Sequence, residues 1–299
     1  MLDYKLIEAM AMVAQEGGFD RAARALHLTQ SAVSQRVKLL EEQTGQILLV
    51  RTSPPTLTDT GRQLLKHYRQ VKRLEGDLFD RISSSFREDF SILPVGVNAD
   101  SLTTWFFDAV RPFLDTERVV LDLSVDDQEQ THRLLKDGEV MGCVGDQAAA
   151  MQGCRVDYLG RMDYRLLASP GFSARWFPDG LTIDAIGRAP AVIFNRKDDL
   201  HNKLFRLAFG TVPAAIPAHF VPSSEKFVDL IASGLAYGML PDLQSAKLLR
   251  DGRLVNLLPD HYVPVKLYWH CWNFRSELLE RFTRALVAGA RKVLHNRVD

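Results

Sequence analysis

An α+β multidomain chain is what this sequence predicts: a small helical head, one long helix, and two α/β lobes. Three observations carry that reading. Apolar residues recur at helical spacing through the N-terminal segment, whereas from residue 91 short apolar runs alternate with helical stretches. Gly17-Gly18, Pro54-Pro55 and Ser83-Ser84-Ser85 punctuate the first part as breaks between elements. Charge divides along the same line. Residues 1–73 carry eleven Lys/Arg against seven Asp/Glu, a balance of +4 in a 299-residue chain of net charge zero, so the remainder stands at −4. A basic head on a mildly acidic body fits a nucleic-acid-binding module joined to something else.

The first helix is read from Leu2, Leu6, Met10 and Val13, with Ile7 and Ala14 widening the stripe, and Gly17-Gly18 ends it. Phe19, Ala22, Ala23 and Leu26 give a short second helix whose alanines let a neighbour cross closely, and His27-Leu28 makes the turn. Thr29 is the expected N-cap of a third helix, about Gln30 to Gln43, with Val33, Val37, Leu40 and Leu39 inward. Its outward face is Gln30, Ser31, Ser34, Gln35 and Lys38 beside Arg36, with the acids held back to Glu41-Glu42. Amides and hydroxyls both donate and accept toward base edges, and Arg or Lys reaches guanine or phosphate, so this face is expected to enter the DNA major groove. Ile47–Val50 reads as a short strand. The segment after it, Arg51-Thr52-Ser53-Pro54-Pro55, cannot continue a sheet interior, which makes a two-strand wing with Arg51 near the flanking phosphates.

A long helix follows from Thr58, capped by Thr58 or Asp59. Leu64, Tyr68, Val71, Leu74 or Glu75, Leu78 and Ile82 recur at alternating spacings of three and four. Such a seam pairs with another helix, so Leu64, Tyr68, Val71 and Leu78 are the expected dimerisation residues, the alternative being packing on the chain's own core. Arg62, Lys66, Arg69, Lys72 and Arg73 on the other face are expected to sense DNA phosphates, so that replacing Lys66 or Arg69 weakens binding to all sequences alike.

From residue 91, SILPVGVN, SLTTWFFDAVRPFL, VVLDLSV, QTHRLLKDGEV and MGCVG give a βαβαβ rhythm, and a second unit of the same kind begins near Asp163. KLYWHCW returns and a helix over Ser276–Leu294 closes the chain. Two lobes are expected, with crossings near 161–164 and 264–268 and a parallel sheet covered by helices on both faces. Ligands in such folds sit beyond the carboxyl ends of strands, against helix N-termini. That singles out Asn98, Asp100, Ser101, Asp126, Asp127, Thr131, Asp146 and Ser223, with Asn195, Asp198, Asp199 and Ser224 also following strands. Acids at helix starts also serve simply as caps. Together they form an acidic cleft mouth with hydroxyls at its helix starts, which suits a zwitterionic, cationic amino acid. Its carboxylate would meet helix N–H groups and the Ser101 or Ser223 hydroxyl, and its ammonium groups Asp126, Asp127 or Asp100.

Composition excludes several classes. Cys143, Cys154 and Cys271 have no CxxC spacing, so neither a structural zinc nor a disulfide framework is expected. No apolar run approaches the ~20 residues of a membrane span, and the N-terminus lacks a signal-peptide core, so a soluble cytoplasmic protein without membrane contact is expected. GxSxG, HExxH, GxxxxGK[ST] and a GxGxxG after a strand are all missing, and neither an enzyme nor a cofactor is expected. His270 reads as a core or hinge residue and Cys143 as an inert strand thiol.

The segment LTQSAVSQRVKLLEEQTGQILLVRT resembles the winged helix-turn-helix of the LysR-type transcriptional regulators. Pro54-Pro55 after Arg51-Thr52, with VNADSLTTW, SSEKFV and LYWH further on, is similar to one branch, the regulators of basic amino acid export. The resemblance covers nearly the whole chain. It implies a winged helix-turn-helix over 1–58, a linker helix over 59–90, and two lobes of periplasmic-binding-protein type over 91–163 with 268–299 and over 164–267. It also implies double-stranded DNA as a partner, L-lysine or L-arginine as effector, and a homodimer or a tetramer built as a dimer of dimers; RNA polymerase is a candidate partner. Competing readings are an architectural DNA binder with a body that only oligomerises, a solute-binding module with a fused head, and a regulator sensing another small molecule or redox state.

Overall fold

The computed structural model of the chain describes residues 2–82, 90–126, 128–273 and 276–295. Its head is α1 (Tyr4–Glu16), α2 (Phe19–Ala25) and α3 (Gln30–Thr44), then β1 (Leu49–Val50) paired antiparallel with β2 (Thr56–Leu57). Each boundary has a local cause. Asp3 caps α1 by accepting from the Lys5 N–H, and Gly17 ends it in the left-handed region at φ +66°, a conformation that costs glycine little. Thr29 Oγ1 accepts from the Ala32 N–H and caps α3 as its sequence position implies. Leu6, Ile7, Met10, Val33, Val37, Leu40 and Leu48 make the head's core.

Two local expectations fail here. Leu39 is exposed, because only the Val33–Val37–Leu40 stripe meets α1 and α2. The strand begins at Leu49 rather than Ile47, whose side chain is 69% exposed. Instead, Glu41 Oε1 on α3 accepts from the Leu48 and Leu49 N–H groups at 2.8 and 3.2 Å and holds the wing's entry to that helix.

The long helix α4 (Asp59–Ile82) is capped by Thr58, whose Oγ1 accepts from the Gly61 N–H. Leu64 and Tyr68 pack partly on the head's own core, and the Tyr68 hydroxyl donates to Glu8 at 3.0 Å, while Leu74 and Leu78 are exposed. The opposite face corrects the phosphate-sensing expectation. Arg69 Nη1 donates to the Gly138 carbonyl at 2.9 Å, and a Cβ built on Gly138 would lie 2.8 Å from the Lys66 backbone, so Lys66 and Arg69 lie against the body. Ser83-Ser84-Ser85 lies outside the described residues.

The body's elements are β3 (Ser91–Asn98), α5 (Ala99–Ser101), a π-helical turn (Leu102–Phe106), α6 (Phe107–Leu114), β4 (Val119–Asp126), α7 (Gln128–Lys136), β5 (Gly142–Gly145) and β6 (Cys154–Ala168). After these come α8 (Pro170–Trp176), α9 (Ile183–Ile186), β7 (Ala191–Ile193), α10 (Leu200–Phe209), β8 (Ala218–Phe220) and α11 (Ser224–Ala232). The chain ends with β9 (Tyr237–Pro241), α12 (Asp242–Arg250), β10 (Val255–Asn256), β11 (Val263–Trp272) and α13 (Glu277–Val293).

Among the described residues, nine strands form one sheet in the order β4-β3-β5-β11-β6-β9-β7-β8, with β10 on β6. The two flanks, β4-β3-β5 and β9-β7-β8, are parallel as the βα rhythm predicts. The long strands β6 and β11 pair antiparallel between them, so the sheet as a whole is mixed. Their register shifts at Leu267/Tyr268, opposite Gly160 at φ +138°. Both strands thus carry the chain from one flank to the other, and the apolar side chains of Trp105, Phe106, Trp269, Phe282 and Leu286 bury the first flank under α6 and α13.

Candidate functional site: the interlobe cavity and the head surface

A cavity of about 280 Å³ opens where the flanks meet, near the low end of small-molecule sites. Asn98, Asp100 and Asp146 line it from the β3–β5 side; Phe194, Asn195, Asp198, Asp199 and Ser224 from the other; Tyr164 and Val265 from the crossing strands.

Asp100 organises its floor. Its Oδ2 accepts from the Tyr164 hydroxyl at 2.6 Å and its Oδ1 from the Ser224 hydroxyl, so one carboxylate joins the first flank, the crossing strand and α11. Gln244 on α12 donates to both the carbonyl and the hydroxyl of Ser224, at 3.2 and 3.3 Å, and so fixes the hydroxyl that faces Asp100. Burial pushes the Asp100 carboxyl up, against the two hydroxyl donors that hold it down, with nearby Asp198 adding to the rise. Asn98 is buried, and its Oδ1 has no partner among the described residues. A buried amide oxygen without a donor is a ready acceptor for a ligand N–H.

The second wall is a loop whose backbone N–H groups are bonded by two side chains. Asn195 Oδ1 accepts from the Lys197 and Asp198 N–H groups, and Asp198 accepts from those of Phe194 and Leu200, which shapes the loop into α10. His201 lies fully buried behind Asp198 against Tyr237, and burial pushes its pKa down to about 4. Among the described residues, four aspartates and two lysines, Lys197 and Lys203, line the cavity, so this lining is acidic on balance.

The expected set divides. Asn98, Asp100 and Asp146 line the cavity. Ser223 does not: its Oγ accepts from the Lys226 N–H as the cap of α11, which leaves the next residue, Ser224, to face inward. Ser101 and Thr131 are fully buried away from the lining, Thr131 Oγ1 donating to the Val144 carbonyl. Asp127 and the side chain of Asp126 lie outside the described residues. Tyr164, Gln147, Lys197 and Lys203 were not foreseen. For Ser224 the signal was present, since a serine that caps its own helix has its oxygen directed at the helix N–H groups. Tyr164 carries none, because nothing local distinguishes it from any other strand tyrosine.

At the other end of the molecule Gln30, Ser31, Gln35 and Lys38 are exposed on α3, with Ser34 and Arg36 half-buried and Arg51 exposed after β1. Lys38 pairs with Glu42 at 3.5 Å one turn on.

Residues 4–62 match the family described as bacterial regulatory helix-turn-helix protein, lysR family, and residues 93–291 match the LysR substrate binding domain. The chain belongs to the LysR family of transcriptional regulators. Among LysR relatives it is 47% identical over 292 residues to the HTH-type transcriptional regulator ArgP of Pseudomonas aeruginosa, covering 97% of this chain and 96% of the relative. The crystal structure of ArgP from Mycobacterium tuberculosis superposes with a TM-score of 0.91 at 38% identity, covering 99% and 100% of the two chains. Full-length LysG from Corynebacterium glutamicum with bound effector Arg gives a TM-score of 0.80 at 32% identity, covering 98% and 100%. The resemblance to the LysR family, and within it to the ArgP regulators, is thereby borne out. No helix among the described residues is long and apolar enough to cross a membrane.

Proposed function

We propose that this LysR-family protein is a transcriptional regulator whose DNA binding is set by L-lysine or L-arginine held in the interlobe cavity, and that its output is a binding event rather than a reaction. The observation that carries this reading is the cavity's chemistry. An acidic lining surrounds the buried Asn98 oxygen, and the start of α11 presents Ser224. An amino acid's carboxylate suits the N–H groups at such a helix start, whose Ser224 hydroxyl is donated to Asp100, and ammonium or guanidinium groups suit Asp100, Asp146 and Asp198. Arginine in the related LysG supports the same ligand class.

In this reading Gln30, Ser31, Ser34, Gln35, Arg36 and Lys38 contact bases and phosphates, with Arg51 on the flanking backbone. The exposed end of α4 around Leu78 pairs two chains, placing two recognition helices in successive major grooves about 34 Å apart. Two such dimers would make a tetramer, and RNA polymerase and an amino acid exporter gene are the partner and target the family suggests. The protein would act in the cytoplasm. The effector shifts the equilibrium between DNA-bound states only by its affinity difference between them.

Calorimetry on the full-length protein tests the reading, with L-lysine, L-arginine and L-glutamate as titrants. Saturable heat is expected with one or both basic amino acids, none with glutamate, and loss of that heat in Asp100→Asn. Folded protein that gives no heat with either basic amino acid at millimolar concentration overturns the effector assignment.

A further inference from the structure

Of the residues Leu267–His270 on β11, the first three serve the core or the sheet. Leu267 is buried, Tyr268 lies against Tyr158 of β6 with ring centroids 5.3 Å apart, and Trp269 is buried and donates its Nε1–H to Thr283 of α13 at 3.0 Å. His270 reaches further. It is fully buried opposite Cys143 of β5, yet its Nε2 lies 2.8 Å from the carbonyl oxygen of Gln147, beyond the end of that strand. Gln147 and its neighbour Asp146 are exposed, and both line the cavity. The strand pairing stops just before them: β11 pairs with β5 as far as Gly145, and β3 only as far as Cys143. The His270 bond therefore carries the order of the sheet two residues past its last ladder pair.

The chemistry of this contact fixes the ring. A carbonyl oxygen carries no proton, so Nε2 holds the hydrogen and donates it. Nδ1 then bears the lone pair, and it has no partner among the described residues. Burial and the neighbouring His132 push the His270 pKa down, against the Gln147 bond and Asp146, so the ring is neutral near pH 7. Burying an imidazole costs more than burying an apolar ring of the same size, and the bond to Gln147 is what histidine gains over phenylalanine here. His132 of α7 closes one side of the ring, edge-on at 4.5 Å between centroids. Gly145 leaves room for that neighbour, since a Cβ there would lie 2.3 Å from His132 Cε1. α7 itself packs on β3 and β5, so both histidines stand on the frame of the first lobe.

We propose that His270 is a positioning residue for the effector: its Nε2–H fixes the Gln147 carbonyl and so sets Asp146 and Gln147 against the cationic side chain of the bound amino acid. The other acids of the seat are held by their own neighbours. Asp100 accepts from Tyr164 and Ser224, and Asp198 from the Phe194 and Leu200 N–H groups. Asp146 differs, because it stands on an exposed loop just past the end of a strand. A charge-assisted bond to an ammonium or guanidinium needs its carboxylate at a fixed distance and angle. An anchor on the adjacent residue's carbonyl supplies that, and it comes from β11, one of the two strands that cross between the flanks.

The effector half of this proposal rests on the proposed function, and the experiment separates the two. His270→Gln places an amide donor where the imidazole Nε2 stands, His270→Asn places it near Nδ1, and His270→Phe keeps a ring without a donor. Calorimetry on the full-length protein with L-arginine and L-lysine is expected to show parent-like affinity in His270→Gln. In His270→Asn and His270→Phe affinity should fall about fivefold or more. A nitroxide at Ala149→Cys, exposed in the same loop of a protein whose native cysteines are buried, reads loop mobility without ligand. Its spectrum should match the parent in His270→Gln and sharpen in His270→Asn and His270→Phe. A merely structural role would not sort the variants by where the donor sits. Equal behaviour of His270→Gln and His270→Asn in both measurements overturns the proposal, as does a parent-like His270→Phe. A loop that loosens while affinity holds overturns the loop's part in effector binding. Absence of heat with either amino acid in the parent overturns the effector reading, and the spectra then decide the Gln147 anchor by themselves. Where His270→Phe does not fold, the comparison of His270→Gln with His270→Asn decides alone.

Discussion

At the scale of single residues, position relative to a helix start decides chemistry more than residue type does. Ser223 and Ser224 are adjacent serines with opposite fates, one spent on a cap and the other aimed at Asp100. The same rule separates Gln30 and Gln35, exposed on the outer face of α3, from Glu41, turned back on the wing. Gln35→Ala is expected to relax sequence preference, at about 1–3 kcal/mol for a lost base contact, while leaving binding to random DNA unchanged. Binding isotherms on operator and scrambled duplexes at one salt concentration check this, and equal losses on both would reassign Gln35 to the backbone. His201 makes a prediction about pH. Its folded-state value is pushed down to about 4, so between that and the ordinary ~6.5 the unfolded chain takes up a proton the folded one refuses. Stability is full above about pH 6.5 and falls as pH drops, by about 3 kcal/mol once pH 4 is passed. Denaturant unfolding across this range should show that loss in the parent protein and its removal in His201→Phe.

At the scale of elements, several boundaries were legible because their causes are local. Thr29 as a cap, Gly17 as a stop and Thr58 as the start of α4 rest on hydrogen bonds to residues three or four positions away. The wing's short reach was not legible. Ile47 looks like strand by composition, but Glu41 captures the N–H groups of Leu48 and Leu49 that a longer strand would have paired. Glu41→Ala is expected to strand two backbone donors and destabilise the head by about 1–3 kcal/mol. Thermal unfolding of the full-length protein, followed by a probe on the wing, should show that region melting first. The π-helical turn at Leu102–Phe106 was hidden inside what reads as one continuous helix. Thr103 and Thr104 donate their hydroxyls to the carbonyls of Ala99 and Asp100, which satisfies acceptors beside the cavity that the widened turn alters.

At the scale of the whole molecule, the linker helix is a contact surface on both its faces. Leu64 and Tyr68, which the 3–4 spacing offers equally to a partner chain, are partly occupied by their own head. Lys66 and Arg69, which charge alone offers to phosphates, lie on the body at Gly138, beyond the end of α7. Arg69→Ala is therefore expected to leave effector affinity intact and to shrink the change in DNA affinity that the effector produces. Titrating DNA with and without L-arginine checks it. A uniform loss of DNA affinity with the effector response unchanged would return Arg69 to the phosphates.

The sequence by itself determined the head, the length of α4, the alternation of strands and helices, and the strand ends where ligands collect. All of these follow from periodicity, caps and breakers acting over a few residues, and Asn98, Asp100 and Asp146 were reachable that way. The tertiary structure alone decided that β6 and β11 run antiparallel through the middle of one sheet. It also decided that Tyr164 and Ser224 converge on Asp100, and that His270 reaches the Gln147 carbonyl past the end of β5. Those groups are separated by 64 to 124 positions along the chain, and no local pattern records which of many polar side chains the packed core will bring together. Burial then sets their chemistry, since the same carboxyl or imidazole behaves differently once water is removed and its partners are fixed.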